Sequence, residues 1–151
     1  MEIIMSGTST TINPSTGEKI AEYQLLTEAE ASAAVDRADE AFQSWRLERP
    51  ANRAKILNKM ADLIEERQEA LSKLMTQEMG KPISQGYQEC ELCAAICRYT
   101  ATEGQEQLKD EARELEGGRA LVSYRPIGVI LGIQPWNFPM YQVIRYSAAN
   151  I

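Results

Sequence analysis

A short run near the C-terminal end of the sequence places one side chain where it could stabilise a negative charge. The run is Pro135-Trp136-Asn137-Phe138-Pro139, and its two prolines restrict the backbone on either side of Asn137. The carboxamide of Asn137 carries N–H groups that can donate hydrogen bonds to an oxyanion that develops during a reaction. The sequence therefore predicts a stiff turn that presents an oxyanion-stabilising group.

Of the side chains used for nucleophilic catalysis and zinc binding, histidine is absent and cysteine is rare in this chain. It has no histidine, which excludes a Ser-His-Asp triad, a Cys-His dyad and any histidine metal site within it. Cys90, Cys93 and Cys97 are spaced so that they share one face of a helix. A metal site is one interpretation, but a fourth ligand is lacking, and thiols that line a packed helix face are favoured. Unpaired thiols also indicate a reducing compartment.

Composition limits the classes of partner. A chain of 151 residues can build one domain with a core, and 44% hydrophobic with 25% charged residues is typical of a globular protein. The net charge is −6, which makes nucleic acid and anionic membrane surfaces poor partners. The N-terminal residues lack the basic segment of a secretory signal, and no apolar run is long enough to cross a bilayer. We therefore expect no membrane partner and a cytoplasmic location.

The elements that must position the turn begin with a hairpin and a helix. Residues 8–25 read as two strands around a Pro- and Gly-containing turn. Thr27 and Glu30 have the spacing of a capping box that opens the first helix. Core packing of that helix is favoured over a cofactor-lined groove or a partner surface. Its apolar stripe consists of Ala31, Ala34, Val35, Ala38, Ala41, Phe42 and Trp45.

Three more helices are predicted as far as residue 104. Pro50 suits the first turn of the second helix, and a break is expected near Arg67 and Gln68. Gly80 then ends the third helix, and residues 83–104 form the fourth, closed by Gly104. The apolar face of the second and third helices consists of Ile56, Leu57, Met60, Leu63, Ile64, Leu71, Leu74 and Met75.

The segment that leads into the turn contains two predicted strands. The charged residues 105–118 read as a solvated connection, with a partner-binding acidic loop as the alternative. Residues 120–125 predict a strand that ends at Pro126. Residues 128–133 carry no charge, which is typical of a strand buried on both faces of a parallel sheet. A helix follows directly, as in the first step of a nucleotide-binding α/β sheet, although no dinucleotide-binding glycine fingerprint is present.

Four motifs together resemble the aldehyde dehydrogenase superfamily. They are Ile12–Glu18, Glu78–Pro82, Arg125–Val129 and Pro135–Pro139, and the resemblance covers almost the whole chain. It implies an α/β fold in which residues 1–151 are the N-terminal part of a Rossmann-like cofactor-binding domain, with the catalytic domain absent. The implied parts are a hairpin at 8–25, helices at about 27–104, an oligomerisation-arm strand at about 119–126, and the first cofactor-sheet strand and helix at 128–151.

The resemblance also implies site residues. Asn137 matches the oxyanion-hole asparagine that steadies the product of thiolate attack on an aldehyde. Ile133, Gln134, Pro135, Trp136 and Asn137 match the segment that lines the nicotinamide side of the cofactor groove, so NAD or NADP is the implied cofactor. Core packing is the alternative for Trp136. A small-molecule aldehyde is the implied substrate, and the full-length protein is expected to be a homo-oligomer, a dimer or a tetramer.

Arg145 narrows the expected substrate. In a helix that begins at Pro139, Tyr141 and Arg145 share a face, and Arg145 lies about 12 Å from Asn137 along the axis. Its guanidinium could bind the distal carboxylate of a short ω-oxo acid. The position is similar to the substrate-carboxylate arginine of succinate-semialdehyde dehydrogenases, so we expect Arg145 and Tyr141 to contact substrate. A surface or inter-subunit salt bridge is the alternative.

The sequence departs from the family in the residues that carry out the reaction and bind the cofactor phosphates. The family's nucleophilic cysteine, general-base glutamate and phosphate-binding glycine loop all correspond to positions beyond Ile151, and the three cysteines here do not match the nucleophile. The helical pattern is still running at Ile151, so we expect an N-terminal fragment that is inactive alone. The alternative is a non-catalytic scaffold or interaction protein from a truncated reading frame.

Overall fold

The computed structural model describes residues 7–151, which form helices and two separate two-stranded sheets. Residues 1–6, which are predicted from the sequence not to be part of a secretory signal, lie outside the described residues. The mixed α/β class expected from the sequence is confirmed. None of the helices in residues 7–151 combines the length and apolar character that crossing a bilayer demands.

The N-terminal hairpin forms as predicted. Strands β1 (Thr8–Ile12) and β2 (Lys19–Gln24) pair antiparallel, and the register shifts by a bulge at the end of β1. Gly17 has φ +75°, a conformation in the turn that glycine adopts without steric cost. The hairpin packs beside the C-terminal end of α3, where the side chain of Pro14 lies next to Gly80.

The helices begin and end largely where their capping residues predict. Thr27 and Glu30 form the capping box, with hydrogen bonds of 2.8 and 3.3 Å between side chain and backbone. Gly80 ends the third helix with φ +73°. The helices are α1 (Glu28–Trp45), α2 (Pro50–Glu66), α3 (Gln68–Met79), α4 (Ile83–Tyr99), α5 (Gln105–Gln107) and α6 (Pro139–Asn150).

Helix α4 is the centre of the packing. Helices α2, α3 and α6 all lie against it, because its small buried side chains let neighbouring backbones approach closely. Where α3 and α4 cross, Gly86 of α4 faces the fully buried Ser72 of α3. The core around α4 consists of Ala61, Ile64, Met75, Cys90, Cys93, Ala94, Cys97 and Ile144. The cysteine face predicted from spacing is therefore confirmed as core.

Helix α1 contradicts the prediction that its apolar stripe is buried. None of its residues is buried, and Val35 is 60% exposed. Its inner face, including Ala38, Phe42 and Trp45, instead borders an open groove of about 1350 Å³ that residues 124–130 line on the other side. The apolar pattern correctly predicted the helix, but no element among the described residues covers that face.

Two boundaries around residue 104 were predicted wrongly. Gly104 does not end the helix, because α4 continues through a π-helical segment, Thr100–Gly104, into α5. The connection at 105–118 is exposed, as predicted, but it contains strand β3 (Glu111–Leu115), which pairs with β4 (Gly118–Val122). A two-residue turn with Gly117 at φ +81° joins them, which is typical of a tight hairpin. The arm strand predicted at about 119–126 thus ends at Val122.

The strand predicted at residues 128–133 is not formed. Residues 123–135 have no regular secondary structure, and the described residues contain no parallel sheet. A strand needs hydrogen bonds to a neighbouring strand, and no strand of residues 7–151 lies beside this segment. Its apolar side chains are exposed instead of buried, including Leu131 and Ile133, which are each 86% exposed.

Candidate functional site

The turn that carries Asn137 leads directly into α6. Pro139 is the first residue of the helix, as predicted, and Phe138 precedes it as N-cap with φ −135°. Proline suits this position because its missing N–H would have no partner inside the helix. The backbone of residues 136–138 bends sharply here, so Asn137 sits at the tip of a turn anchored by α6.

The side chain of Asn137 is available, whereas its backbone is held. Asn137 is exposed, and its carboxamide makes no hydrogen bond within residues 7–151. Its backbone carbonyl oxygen, in contrast, accepts a hydrogen bond of 3.1 Å from the ammonium group of Lys81. A fixed backbone with an uncommitted amide is what an oxyanion donor requires, since the donor must be oriented before the charge develops.

A buried ion pair lies beneath this turn, and the sequence analysis missed it. Lys81 pairs with Glu89, and their side chains are 4% and 1% exposed. The ammonium of Lys81 also lies 3.8 Å from the centre of the Phe138 ring. One signal was available in the sequence: Glu89 stands on the same face of α4 as Cys93 and therefore had to be buried with a partner.

Glu89 also holds the first turn of α6. Its Oε1 accepts a hydrogen bond of 3.0 Å from the backbone N–H of Tyr141, while its Oε2 contacts Lys81. The first N–H groups of a helix have no partner within the helix, and Phe138 supplies no side-chain cap. A carboxylate from α4 thus replaces the usual N-cap and also stabilises the positive end of the helix dipole.

Tyr141 and Arg145 share one face of α6, as their spacing predicts. A guanidinium nitrogen of Arg145 donates to the Tyr141 hydroxyl at 3.3 Å, and the guanidinium carbon lies 5.6 Å from the centre of the tyrosine ring. Arg145 is exposed. The ion pairs of residues 7–151 do not include it, so no salt bridge within this part of the chain uses its charge.

The segment before Asn137 is largely exposed. Ile133 is 86% exposed and Trp136 is 75% exposed, so Trp136 is not packed in the core of this chain. Gln134 is partly buried and Pro135 is exposed. One side of Trp136 borders a mainly apolar cleft of about 400 Å³ that α3 and α6 form. The structure thus leaves apolar and backbone groups beside Asn137 accessible to a ligand.

The three cysteines are unsuited to nucleophilic attack. All three are buried, and burial raises the pKa of each thiol. For Cys93 the pKa rises to about 12, and the nearby Glu89 carboxylate adds to the shift. A thiol with such a pKa stays protonated at neutral pH, and only the thiolate attacks a carbonyl carbon efficiently. In residues 7–151 no group of three or more metal-binding side chains is placed to hold an ion.

Comparison with known proteins identifies a matching family model and several relatives of this chain. Residues 4–151 match a family model described as the aldehyde dehydrogenase family. A curated relative from Synechocystis, named "Probable succinate-semialdehyde dehydrogenase" with NADP(+), is 41% identical over 138 residues, which is 91% of this chain and 30% of the relative. A succinate-semialdehyde dehydrogenase with NADP(+) from Deinococcus radiodurans is 39% identical over 141 residues, 93% of this chain and 30% of its own length.

A solved structure gives the same result in three dimensions. The crystal structure of succinic semialdehyde dehydrogenase from Streptococcus pyogenes, in complex with NADP+ as the cofactor, superposes with a TM-score of 0.89 at 32% identity. The match covers 93% of this chain and 31% of that one. The chain therefore spans about 30% of the length of the relatives it matches.

Proposed function

The chain belongs to the aldehyde dehydrogenase family, and from this premise we propose that the whole protein oxidises succinate semialdehyde to succinate with NAD or NADP. The observation that carries the proposal is the turn at Asn137, whose carboxamide is uncommitted while its carbonyl is fixed by Lys81. The names of the relatives with NADP(+) favour that cofactor over NAD.

Asn137 is the proposed oxyanion donor. When a thiolate attacks the aldehyde carbon, the C–S bond forms and the carbonyl electron pair moves onto oxygen, which becomes an alkoxide. An Nδ2–H of Asn137 then donates a hydrogen bond that stabilises this charge more than it stabilised the neutral carbonyl. Loss of one such donor costs roughly 10²–10³ in rate in other enzymes.

The nucleophile is proposed to lie outside this chain. Cys90, Cys93 and Cys97 are buried with raised pKa values, so none of them can supply the thiolate. The resemblance likewise assigns the nucleophile and the general-base glutamate to positions that this sequence does not contain. We therefore propose that the 151-residue chain alone does not oxidise aldehydes.

The segment before Asn137 suits a nicotinamide cofactor. Ile133 and Trp136 expose apolar surface on which a ring can pack, and Gln134 and Pro135 offer backbone groups beside it. When bound, the cofactor would supply the acceptor for the hydride that leaves the substrate carbon. The role of these four residues is to hold the ring near Asn137 and to exclude water from the reacting carbon.

Arg145 is the proposed carboxylate-binding residue. Its exposed guanidinium has no carboxylate partner within residues 7–151, and Tyr141 orients it through the 3.3 Å hydrogen bond and the ring face. A carboxylate at the far end of a short ω-oxo acid would form the ion pair that Arg145 does not form within residues 7–151. This arrangement favours succinate semialdehyde over an uncharged aldehyde of the same length.

The remaining assignments are also proposals for the whole protein. We propose a cytoplasmic homo-oligomer, a dimer or a tetramer, to which the β3–β4 hairpin contributes. The hairpin supports this because its strands are exposed and have no partner beyond each other among the described residues.

The test of the substrate is Arg145→Ala in the whole protein, assayed with succinate semialdehyde and with butanal. Loss of a charged hydrogen-bonded pair costs ~1.5–3 kcal/mol, so we expect KM for succinate semialdehyde to rise roughly tenfold to hundredfold. KM for butanal should stay within about twofold of its original value. Arg37→Ala, on the exposed surface of α1, is the matched control and should change neither constant.

Equal effects of Arg145→Ala on both aldehydes would contradict the carboxylate role. A whole protein that oxidises butanal but not succinate semialdehyde would contradict the substrate and leave the family's reaction intact. The absence of oxidation with either aldehyde and either cofactor would contradict the proposed function altogether.

A non-catalytic interaction protein is the alternative function. The observation that favours it is the large apolar exposure at Ile127, Leu131 and Ile133. An intact-mass measurement on the natural product distinguishes the two. A mass of 16.9 kDa with no aldehyde oxidation would support the alternative, whereas a larger mass with activity would support the dehydrogenase.

A further inference from the structure

We propose that the buried Lys81–Glu89 ion pair is a positioning device for the oxyanion donor Asn137. It holds the turn at two backbone points, the carbonyl of Asn137 and the amide of Tyr141. The inference rests on the proposed function insofar as Asn137 acts on an aldehyde. The holding itself is a property of this chain and can be tested without activity.

The polar atoms of the pair contact each other and the turn. The ammonium of Lys81 has three N–H donors, and it meets the Glu89 carboxylate, the Asn137 carbonyl oxygen and the face of the Phe138 ring. The two oxygens of Glu89 divide between Lys81 and the Tyr141 amide. The pair therefore holds Asn137 at its own carbonyl and holds the first turn of α6 that follows it.

The location of the pair argues against a purely stabilising role. Replacing a buried ion pair with apolar side chains of similar volume is often neutral or stabilising, so burial of the charges alone does not explain them. Here each charged group also forms a hydrogen bond with the backbone of the turn and the start of α6, at the Asn137 carbonyl and the Tyr141 amide, rather than with the core. An apolar pair would fill the same space but could not hold the turn.

The backbone of the turn needs such support because its own elements provide little. Residues 123–135 belong to no strand, Asn137 and Phe138 are exposed, and α6 has no side-chain cap from its own residues. A misplacement of about 1 Å in a catalytic group can cost ~10²-fold in rate. Lys81 and Glu89 are therefore positioning residues that act through Asn137 and do not touch the substrate.

The decisive experiment is a cycle in the whole protein that combines Lys81→Met/Glu89→Gln with Asn137→Ala. The double substitution leaves no buried unpaired charge. We expect it to lower kcat by roughly 100-fold for succinate semialdehyde and for butanal alike, with a smaller change in KM. In the Asn137→Ala background the same double substitution should lower kcat by less than about threefold, because the donor it positions is already gone.

A conservative variant and a matched control complete the kinetic test. Lys81→Arg keeps the charge and should retain more activity than Lys81→Met. The exposed pair of α3 provides the control: Lys73→Met/Glu69→Gln makes the same chemical changes and should leave kcat unchanged. An equal fold-loss from the double substitution with and without Asn137 would overturn the proposal, as would no loss at all.

Amide hydrogen exchange at Tyr141 in the present chain tests the clamp independently of activity. Exchange should accelerate at least tenfold in Lys81→Met/Glu89→Met, which removes the side-chain oxygen that accepts from this amide, while core amides of α4 keep their protection. If that double variant does not fold, Lys81→Met/Glu89→Leu replaces it, since it also lacks the acceptor and leaves no buried charge. Unchanged exchange at Tyr141 would overturn the clamp. A whole protein without aldehyde oxidation but with accelerated exchange would refute the function and retain the clamp.

Discussion

The crossing of α3 and α4 provides a sharp test of the packing. A methyl group added at Gly86 would lie 3.0 Å from the Cα and Cβ atoms of Ser72 and 3.2 Å from its hydroxyl oxygen. Carbon atoms prefer a separation of about 3.5–4.0 Å, so the two helices would have to move apart. Because α2 and α6 also lie against α4, that movement would disturb the whole core.

The magnitude follows from two opposing terms. Alanine in place of glycine in a helix gains about 1 kcal/mol through lower backbone entropy in the unfolded chain. Overpacking of a well-packed core costs ~1–3 kcal/mol. We therefore expect Gly86→Ala to lower the free energy of unfolding by up to about 2 kcal/mol. Ser84→Ala, on the exposed side of the same helix, is the control and should leave stability unchanged or slightly raised.

Urea unfolding followed by circular dichroism measures both variants, and a double-mutant cycle locates the clash. Ser72→Gly removes two of the three contacting atoms, so its combination with Gly86→Ala should show a favourable coupling of ~0.5–3 kcal/mol. A Gly86→Ala protein that is more stable than the original would refute the close crossing. Strict additivity in the cycle would refute Ser72 as its partner.

Two further predictions concern the buried thiols and the exposed apolar segment. Burial raises the pKa of Cys93 from 9.0 to about 12 and also raises the pKa values of Cys90 and Cys97, so the unfolded chain loses these protons at a lower pH than the folded chain. The free energy of unfolding should therefore fall as pH rises from about 9 to about 12. A stability curve that is flat or rising in that window would contradict the burial, as would native thiols that iodoacetamide alkylates as fast as unfolded ones at pH 7.5. Because Ile133 and its apolar neighbours are exposed, the isolated chain should self-associate as its concentration increases. Sedimentation velocity should show weaker self-association for Ile133→Ser. Equal self-association of both proteins would show that this segment is not the contact.

Local signals in the sequence were reliable where the cause of the structure is itself local. The capping box at Thr27, the left-handed Gly80 and the proline at the start of α6 each act within one turn of backbone. Helical spacing likewise predicted the contact between Tyr141 and Arg145. These elements could be read from the chain because neighbours in sequence decide them.

Elements that depend on distant partners were predicted poorly. The strand expected at residues 128–133 needs neighbouring strands, and residues 7–151 contain none beside it. The apolar stripe of α1 was assigned to a core that does not reach it. Strand β3 was missed because charged residues such as Glu111, Arg113 and Glu114 are typical of a solvated loop as well as of an exposed hairpin.

The site was predicted in part. The sequence placed Asn137 on a turn before a helix, and the structure has that turn, but the role of the side chain stays a prediction. The pair that holds the turn was missed because Lys81 and Glu89 lie far from Asn137 in the chain, and only the fold brings them together. Lys81 even stood inside a motif used for the family resemblance without being assigned a role.

The clamp beneath the turn also implies an order of folding. Its two contacts with the turn join residues that are 56 and 52 positions apart in sequence, whereas the crossing of α3 and α4 closes much shorter loops. Loop closure costs more entropy for longer separations, so the helical layer should assemble before the turn acquires its geometry. In a pulsed hydrogen-exchange experiment, the Tyr141 amide would then gain protection after the amides of α4, and the kinetics of that one proton would report when the turn at Asn137 acquires its native geometry.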